Sequence, residues 1–177
     1  MPLLVMAVVG TYIEVAGRTG SCPACVFITE TVGLSEPAPG RGEVVADWSL
    51  AGLEGGGVES SELKGRVVLV NFWSTGCLPC RRELPHLQAL QERLGPEGLS
   101  VIGVVVDRGD PAAIREFVES RGLSYPVGLV TDSVIGSLGP VEAVPTTLVL
   151  DREGRLVQRL VGYQPEGALR AAVKRQL

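Results

Sequence analysis

A run of seven residues, VVLVNFW at positions 67 to 73, constrains most strongly how this chain can fold. It carries no charge, and most of its members are β-branched or aromatic, which favours a β-strand. A strand with one face in water would alternate apolar and polar residues, whereas a continuous run is typical of a strand covered on both faces. The run therefore predicts a central strand of a parallel or mixed sheet packed between helices.

The segment that follows has the spacing of a helix. Apolar residues recur every three or four positions from Leu78 to Leu94, which predicts a helix with one buried face. Pro85 is expected to interrupt and kink this helix. Gly95 and Pro96 are expected to end it.

The rest of the C-terminal part continues the alternation of strands and helices. Strands are predicted at 99–107, 125–130, 144–151 and 155–162, helices at 111–121 and from 165 onwards, a helical turn at 133–138, and short strands with turns at 47–53 and 58–66. This order of strand, helix, strand, helix, hairpin and helix predicts an α/β sandwich with a mixed sheet.

Composition and charge bound the class of protein. The chain has 177 residues, 45% of them apolar and 20% charged, and a formal net charge of −4. That length is enough for one ordinary domain with an appendage, and the charge gives no general attraction to nucleic acid or to anionic lipid. Because Gly and Pro cluster in GLSEPAPGRG, we predict an N-terminal segment at 1–32, a linker at 33–43 and a globular domain at 44–177.

The apolar stretch at residues 2–13 has three interpretations. It is too short to span a hydrocarbon core, which needs about 20 residues, and a signal peptide would place a basic residue before it, whereas the first basic residue is Arg18. It is the remainder of a membrane anchor, an atypical signal anchor, or a buried strand or helix of a soluble protein. The linker composition that follows favours a truncated anchor, although Glu14 argues against a full crossing.

Two cysteines, Cys77 and Cys80, stand where the predicted central strand passes through a turn into the predicted helix. Unpaired backbone N–H groups and the helix dipole stabilise a thiolate at a helix N-terminus, and the pKa of thiols in such motifs falls from about 8.5 towards about 7 or lower. We therefore predict that Cys77 attacks a partner's disulfide and that Cys80 resolves the mixed disulfide. Leu78 and Pro79, between the two sulfurs, are expected to set the reduction potential.

A Cys-x-x-Cys pair can instead supply half of a zinc site. The other pair in the sequence is Cys22 and Cys25, and 51 residues separate Cys25 from Cys77, against a usual spacing of about 12 to 20. This spacing argues against zinc, and no metal site is predicted. The upstream pair is predicted to be a second redox pair that exchanges electrons with Cys77 and Cys80 or with a membrane partner. The alternative is a local structural disulfide.

The segment NFWSTGCLPCRRELP resembles the active-site segment of the thioredoxin superfamily, above all its TlpA/ResA-type thiol–disulfide oxidoreductases. The resemblance extends over residues 44 to 177 in element order. It implies a thioredoxin-like α/β/α sandwich with a central mixed sheet and an N-terminal strand or hairpin extension. It also implies a cis peptide bond between Val144 and Pro145, which would aim the Val144 backbone at the sulfurs so that a peptide can add as a short strand.

The resemblance also assigns roles to residues around the cysteines. Glu83 is implied to assist proton transfer, with a solvated first-turn carboxylate as the alternative. Asn71 stands where many thioredoxins have a buried aspartate, which favours Glu83 as the substitute carboxylate. Gly76 replaces a tryptophan that is common before the first cysteine, and this opens the surface around Cys77. Trp73 is predicted to pack beside the disulfide and contact substrate, with a core role as the alternative.

Together these inferences predict a thiol–disulfide oxidoreductase in the periplasm or on the outer face of the bacterial cytoplasmic membrane. It would reduce protein disulfides without a cofactor. By resemblance, its substrates include apocytochrome c or copper-site maturation proteins, and a membrane thiol–disulfide carrier regenerates it. The predicted substrate-binding residues are Trp73, Gly76, Leu78, Pro79, Val144 and Pro145. The alternatives are a thiol peroxidase, although the proline that such a site needs before Cys77 is absent, and a non-catalytic metal or heme chaperone.

Overall fold

A computed structural model describes residues 40–53 and 55–177. Its strands are β1 (Ser49–Ala51), β2 (Gly57–Glu59), β3 (Val67–Trp73), β4 (Leu99–Val105), β5 (Val127–Leu129), β6 (Thr146–Leu150) and β7 (Leu156–Val161). Its α-helices are α1 (Leu78–Leu94), α2 (Pro111–Ser120), α3 (Asp132–Leu138) and α4 (Glu166–Lys174), and a 3-10 helix spans Ser60–Leu63. The apolar stretch at 2–13 and the pair Cys22 and Cys25 lie outside the described residues.

The five strands β3 to β7 form one mixed sheet in the order β5-β4-β3-β6-β7. β3 runs parallel to β4 and antiparallel to β6, and it is buried at all seven positions. The continuous apolar run is therefore the central strand that its sequence predicts, because both of its edges are paired and both of its faces are covered.

Helices cover both faces of this sheet. Alternate β3 residues, including Leu69 and Trp73, pack with the apolar face of α1 and with residues of α2 and α4. The intervening residues, including Val70 and Phe72, pack with α3 and with the hairpin of β1 and β2. The predicted α/β/α sandwich with an N-terminal hairpin extension is confirmed.

The hairpin needs a glycine to approach the sheet. An isolated bridge joins Gly52 to Gly128 of β5. A Cβ atom on Gly128 would lie 2.3 Å from the carbonyl oxygen of Ala51, a distance that no side chain can occupy. The absence of a side chain at Gly128 thus allows the extension to contact the sheet edge.

Some predicted boundaries differ from those observed. α1 continues through Pro85, where the sequence predicts an interruption. β4 ends at Val105, two residues before the predicted end, and Asp107 then bonds to a neighbouring turn. Among the described residues, none of the helices combines the length and apolar character needed to cross a bilayer.

The topology brings two chain segments to the same end of the sheet. β3 ends at Trp73, shortly before Cys77, and its antiparallel neighbour β6 begins at Thr146, directly after Pro145. Because antiparallel neighbours place the end of one strand beside the start of the other, the cysteine turn and the Val144-Pro145 segment lie together.

Candidate active site

The two cysteines open helix α1 as predicted. Cys77 is the N-cap residue, and its Sγ accepts a hydrogen bond from the backbone N–H of Cys80 at 3.2 Å. Pro79 lies within the first turn, where a missing N–H costs no helical hydrogen bond. A disulfide joins Cys77 and Cys80, with their Cα atoms 5.2 Å apart. The sulfur environments differ, because Cys77 is half-buried whereas Cys80 is only 1% exposed.

The Val144-Pro145 segment faces the disulfide. The peptide bond between these residues is cis, as the resemblance implies. The carbonyl oxygen of Val144 lies 3.8 Å from Cys77 Sγ. On the far side, the carbonyl oxygen of Pro145 accepts a 2.8 Å hydrogen bond from the N–H of Gly162. Pro145 itself is buried and Val144 is half-buried, so the Val144 backbone is the part of this segment closest to the reactive sulfur.

The predicted substrate-binding residues do not share one environment. Gly76, Leu78 and Pro79 are exposed around the disulfide, and Leu78 exposes 69% of its surface. The prediction that Trp73 contacts substrate is wrong. Trp73 is fully buried and packs against Phe117 with ring centroids 5.6 Å apart. It points to the α1 side of β3, where the core excludes any partner.

Glu83 is a buried carboxyl group on the same face of α1 as Cys80. It has no exposed surface, so the alternative of a solvated first-turn carboxylate is wrong. Oε1 accepts hydrogen bonds from Asn71 Nδ2 at 3.0 Å and from Thr147 Oγ1 at 3.2 Å, and Oε2 accepts one from the N–H of Gln164 at 2.6 Å. Burial raises the pKa of Glu83 above its ordinary value, and these hydrogen bonds oppose the rise only in part.

Asn71 links Glu83 to the sheet. In the register of the sheet Asn71 pairs with Thr147 of β6 on one side and with Gly103 of β4 on the other. Its Nδ2 donates both to Glu83 and to Thr147 Oγ1, the latter at 2.9 Å. Sequence reasoning missed Thr147. The available signal was its position two residues after Pro145, because side chains two residues apart on a strand point to the same face of the sheet.

Asp107 is a second residue that the sequence analysis did not identify. Its carboxylate accepts hydrogen bonds from the N–H and the Oγ1 of Thr75, at 2.8 and 2.6 Å, and so fixes the turn before Cys77. Burial acts to raise the pKa of Asp107, but hydrogen bonds from Ser74 and Thr75 outweigh it and lower the pKa. The available signal was its position just after β4. Because β3 and β4 are parallel, the residues that follow their carboxyl ends lie at the same edge of the sheet.

The arrangement suits reversible two-electron chemistry. One sulfur is accessible at a helix N-terminus, a second is held behind it, and a buried carboxyl group with a raised pKa lies one helical turn further along. A thiolate at the first position can attack an external disulfide, and the second sulfur can displace the product.

Comparison with known proteins agrees with this chemistry. A family model described as the AhpC/TSA family matches residues 41–159. The thiol-disulfide oxidoreductase ResA of Bacillus thuringiensis (strain Al Hakam) is 32% identical over 135 residues, which are 76% of this chain and 77% of that protein. A thiol:disulfide interchange protein DsbE structure from Chlorobium tepidum has a TM-score of 0.71 at 25% identity, covering 78% of this chain and 99% of its own. A secreted thiol-disulfide isomerase from Corynebacterium glutamicum has a TM-score of 0.67 at 28% identity, covering 73% and 82%.

The family model extends from before β1 into β7 and includes the cysteine turn. The family model covers more than half of the chain. A Cys-x-x-Cys disulfide lies at the start of α1. The chain therefore belongs to the AhpC/TSA family of the thioredoxin superfamily, and it is a thiol–disulfide oxidoreductase.

Proposed function

We propose that this chain reduces disulfides of other proteins outside the cytoplasm, with Cys77 as the attacking sulfur and Cys80 as the resolving sulfur. The observation that carries this assignment is the difference in solvent exposure between Cys77 and Cys80. Cys77 is half-buried beside exposed Gly76 and Leu78, whereas Cys80 is 1% exposed behind it. A disulfide on a folded partner cannot reach a buried sulfur, so only Cys77 is placed to meet it.

The reaction balances within the dithiol. The Cys77 thiolate attacks one sulfur of the partner's disulfide, which forms a mixed disulfide and releases one partner thiolate. Cys80 loses its proton and attacks Cys77 Sγ, which releases the second partner thiolate. Two electrons pass to the partner, and the chain is left with the Cys77–Cys80 disulfide.

Glu83 is the group that we assign to accept the Cys80 proton. Cys80 and Glu83 are three positions apart along α1, so they share a face of the helix, and both are buried. Because burial raises the pKa of Glu83 above its ordinary value, its affinity for a proton moves towards that of a thiol. An ordinary surface carboxylate would be a poorer acceptor at neutral pH.

The substrate is a polypeptide that lies across the exposed turn. Gly76, Leu78 and Pro79 offer contact surface around Cys77, and the Val144 backbone lies 3.8 Å from the sulfur on the other side. An extended substrate segment can bond to that backbone as an added strand. Apocytochrome c and copper-site maturation proteins are the substrate classes that the resemblance suggests.

The proposed location is the periplasm or the outer face of the cytoplasmic membrane. One similar solved structure is described as a secreted thiol-disulfide isomerase. A membrane thiol–disulfide carrier would return electrons to the dithiol, residues 2–13 would serve as a tether, and Cys22 and Cys25 would form a second redox pair. These proposals rest on the sequence.

Turbidimetric reduction of insulin tests the cysteine roles. Cys77→Ser should abolish reduction, and Cys80→Ser should accumulate mixed disulfides that gel electrophoresis without reductant detects. Trapping by Cys77→Ser instead of Cys80→Ser would reverse the assignment.

A parallel assay of hydrogen peroxide consumption tests the peroxidase alternative, because rapid turnover that survives Cys80→Ser would contradict the proposed function.

A further inference from the structure

An open cleft borders the cysteine turn on the side of α2. Its volume is about 520 Å³, within the range of about 300 to 1,000 Å³ that is typical of ligand sites. One wall is the turn at 74–76, and the other is formed by the loop at 107–110 and by three residues of α2, Ala113, Ile114 and Phe117. The loop follows β4, whereas Val144 precedes β6 on the other side of β3. The cysteine turn therefore lies between the Val144 backbone and the cleft.

Gly76 leaves this cleft open directly beside Cys77. Its φ lies outside the left-handed region in which glycine is favoured. A Cβ atom on Gly76 would have Ser74 Oγ as its nearest neighbour, at 3.9 Å, which is an ordinary contact distance. Neither the backbone nor the packing therefore requires glycine at this position. Because Gly76 lines the cleft, its missing side chain leaves room for part of a partner molecule.

The α2 wall of the cleft is apolar. Ile114 is 3% exposed, and Phe117 is half-buried with its ring centroid 5.6 Å from that of Trp73. An aromatic or aliphatic side chain that enters the cleft would cover the accessible part of the Phe117 ring and the exposed methyl group of Ala113. The burial of this apolar surface would favour binding.

Three arginines lie around the apolar wall. Arg108 lines the cleft, and the guanidinium carbons of Arg81 and Arg121 lie 5.7 and 5.0 Å from the centroid of the Phe117 ring. These are the distances of cation–π contacts. The ion pairs found among the described residues use other cations. Within that part of the chain, the three guanidinium groups therefore have no carboxylate partner.

The two carboxylates that line the cleft already have donors. Asp107 accepts two hydrogen bonds from Thr75, and Asp110, the N-cap of α2, accepts one from the N–H of Ala112 at 3.0 Å. A guanidinium group held over an aromatic ring keeps its charge and its planar set of N–H donors, which can bind a carboxylate in a bidentate way. The cleft thus combines an apolar wall with positive groups that are free to bind an acidic side chain.

A partner's disulfide brings its neighbouring residues to this cleft. The partner's sulfur must reach Cys77 Sγ, and consecutive Cα atoms are only about 3.8 Å apart, so a residue beside the partner's cysteine lies over Gly76. We propose that the cleft binds the residues beside the partner's disulfide and selects an aromatic or aliphatic side chain with an acidic residue next to it. This proposal rests on the proposed function, and it specifies the polypeptide segment that the site prefers. Gly76 and Phe117 determine the apolar preference, and the arginines determine the preference for charge.

Four peptide disulfides of one design test both parts of the proposal. Each closes the same ring and carries the same two residues outside both cysteines, so that either chain direction is sampled. The residue next to the cysteine is phenylalanine or glycine, and the one beyond it is glutamate or lysine. The full chain is reduced, freed of reductant and mixed with each peptide at low salt, and acid quenching followed by chromatography gives the second-order rate constant. The wild type should prefer phenylalanine by about 10-fold, as for burial of an apolar side chain, and glutamate by about 2- to 5-fold.

Variants of the cleft should remove the two preferences separately. Gly76→Trp fills the cleft and should abolish the preference for phenylalanine, and Ala113→Trp fills it from α2 and gives the same comparison if Gly76→Trp does not fold. Arg81→Gln and Arg121→Gln should each reduce the preference for glutamate, as should salt at about 1 M, where the Debye length is about 3 Å. Arg170→Gln is the matched control, since Arg170 is exposed on α4, and it should keep both preferences.

Three results would overturn the proposal. Equal rate constants for the four peptides would mean that the cleft does not select its partner. A preference for phenylalanine that survives both tryptophan variants would place the contact elsewhere. A wild-type dimer that Gly76→Trp dissociates, measured by sedimentation, would assign the cleft to a second copy of the chain. Equal reduction of all four peptides leaves the proposed function intact, whereas a wild type that reduces none of them contradicts the proposed function as well.

Discussion

Replacing Thr147 by Val removes one hydrogen bond from Glu83 while it preserves the shape of a fully packed position. Thr147 is 1% exposed, and its Oγ1 lies 3.2 Å from Glu83 Oε1. Thr147 Oγ1 also accepts a 2.9 Å hydrogen bond from Asn71 Nδ2, and this bond between neutral groups is lost at every pH. The strength of the bond to Glu83 depends on whether the carboxyl group is charged. When Glu83 is charged the bond is charge-assisted, and when Glu83 is protonated the bond joins two neutral groups.

The magnitude follows from that difference. A hydrogen bond to a charged group contributes about 1.5 to 3 kcal/mol, and a neutral one about 0.5 to 1.5 kcal/mol. Thr147→Val should therefore lower the free energy of unfolding by about 1 to 1.5 kcal/mol more at high pH than at low pH. It should also raise the pKa of Glu83 further, because the charged form loses more than the neutral form does.

The wild-type chain has its own dependence on pH. The folded state binds the Glu83 proton more tightly than the unfolded state, because burial raises the pKa above the ordinary value of 4.5. The contribution of Glu83 to stability is therefore greatest below that value and falls as the pH rises through the folded pKa. The extra loss in Thr147→Val should appear over the same range and persist above it.

Urea unfolding of the oxidised protein at a series of pH values measures these changes. Thr146→Val is the matched control, since Thr146 is 2% exposed on the same strand and its Oγ1 donates to the carbonyl oxygen of Ala143 at 2.7 Å. Its loss of stability should be independent of pH through this range. If the two variants lose stability in parallel at every pH, the Thr147 hydroxyl does not act on a titrating Glu83.

Two other changes test the supports of the site. Leu87→Ala removes a side chain with no exposed surface from α1, so thermal or urea unfolding should show a loss of about 2 to 5 kcal/mol; a smaller loss would mean that α1 repacks. Asp107→Asn should reduce stability above the ordinary pKa of 3.8. Because the folded pKa is lowered, that difference should vanish as the pH falls through it, and a constant difference would exclude a charged hydrogen bond to Thr75.

The sequence predicts most of the fold because its strongest signals are local. The run VVLVNFW predicts β3 to the residue, and the apolar spacing that follows predicts α1 from Leu78 to Leu94. The end of β4 is harder to predict. It depends on a contact between Asp107 and Thr75, and these two residues lie 32 positions apart in the sequence. No periodicity within a single strand carries that information.

The site divides in the same way. The positions of Cys77 and Cys80 follow from the strand, turn and helix around them, and their unequal burial supports the predicted division into an attacking and a resolving sulfur. The environment of Glu83 depends on Thr147, which lies 64 residues away, and on Gln164, which lies 81 residues away. The error over Trp73 has a similar cause, since an aromatic residue near a disulfide does not reveal which face of its strand it occupies.

The pairing of β3 with β6 has a consequence for local unfolding of the domain. These two strands carry the cysteine turn and the Val144 segment, and they lie in the middle of the five-stranded sheet. Local fraying begins at edges and termini, whereas central strands open only when the whole domain does. Amide hydrogen exchange should therefore be slowest around Asn71 and Leu148. Thiol–disulfide exchange at the end of these strands then takes place without local unfolding of the strands that carry the site.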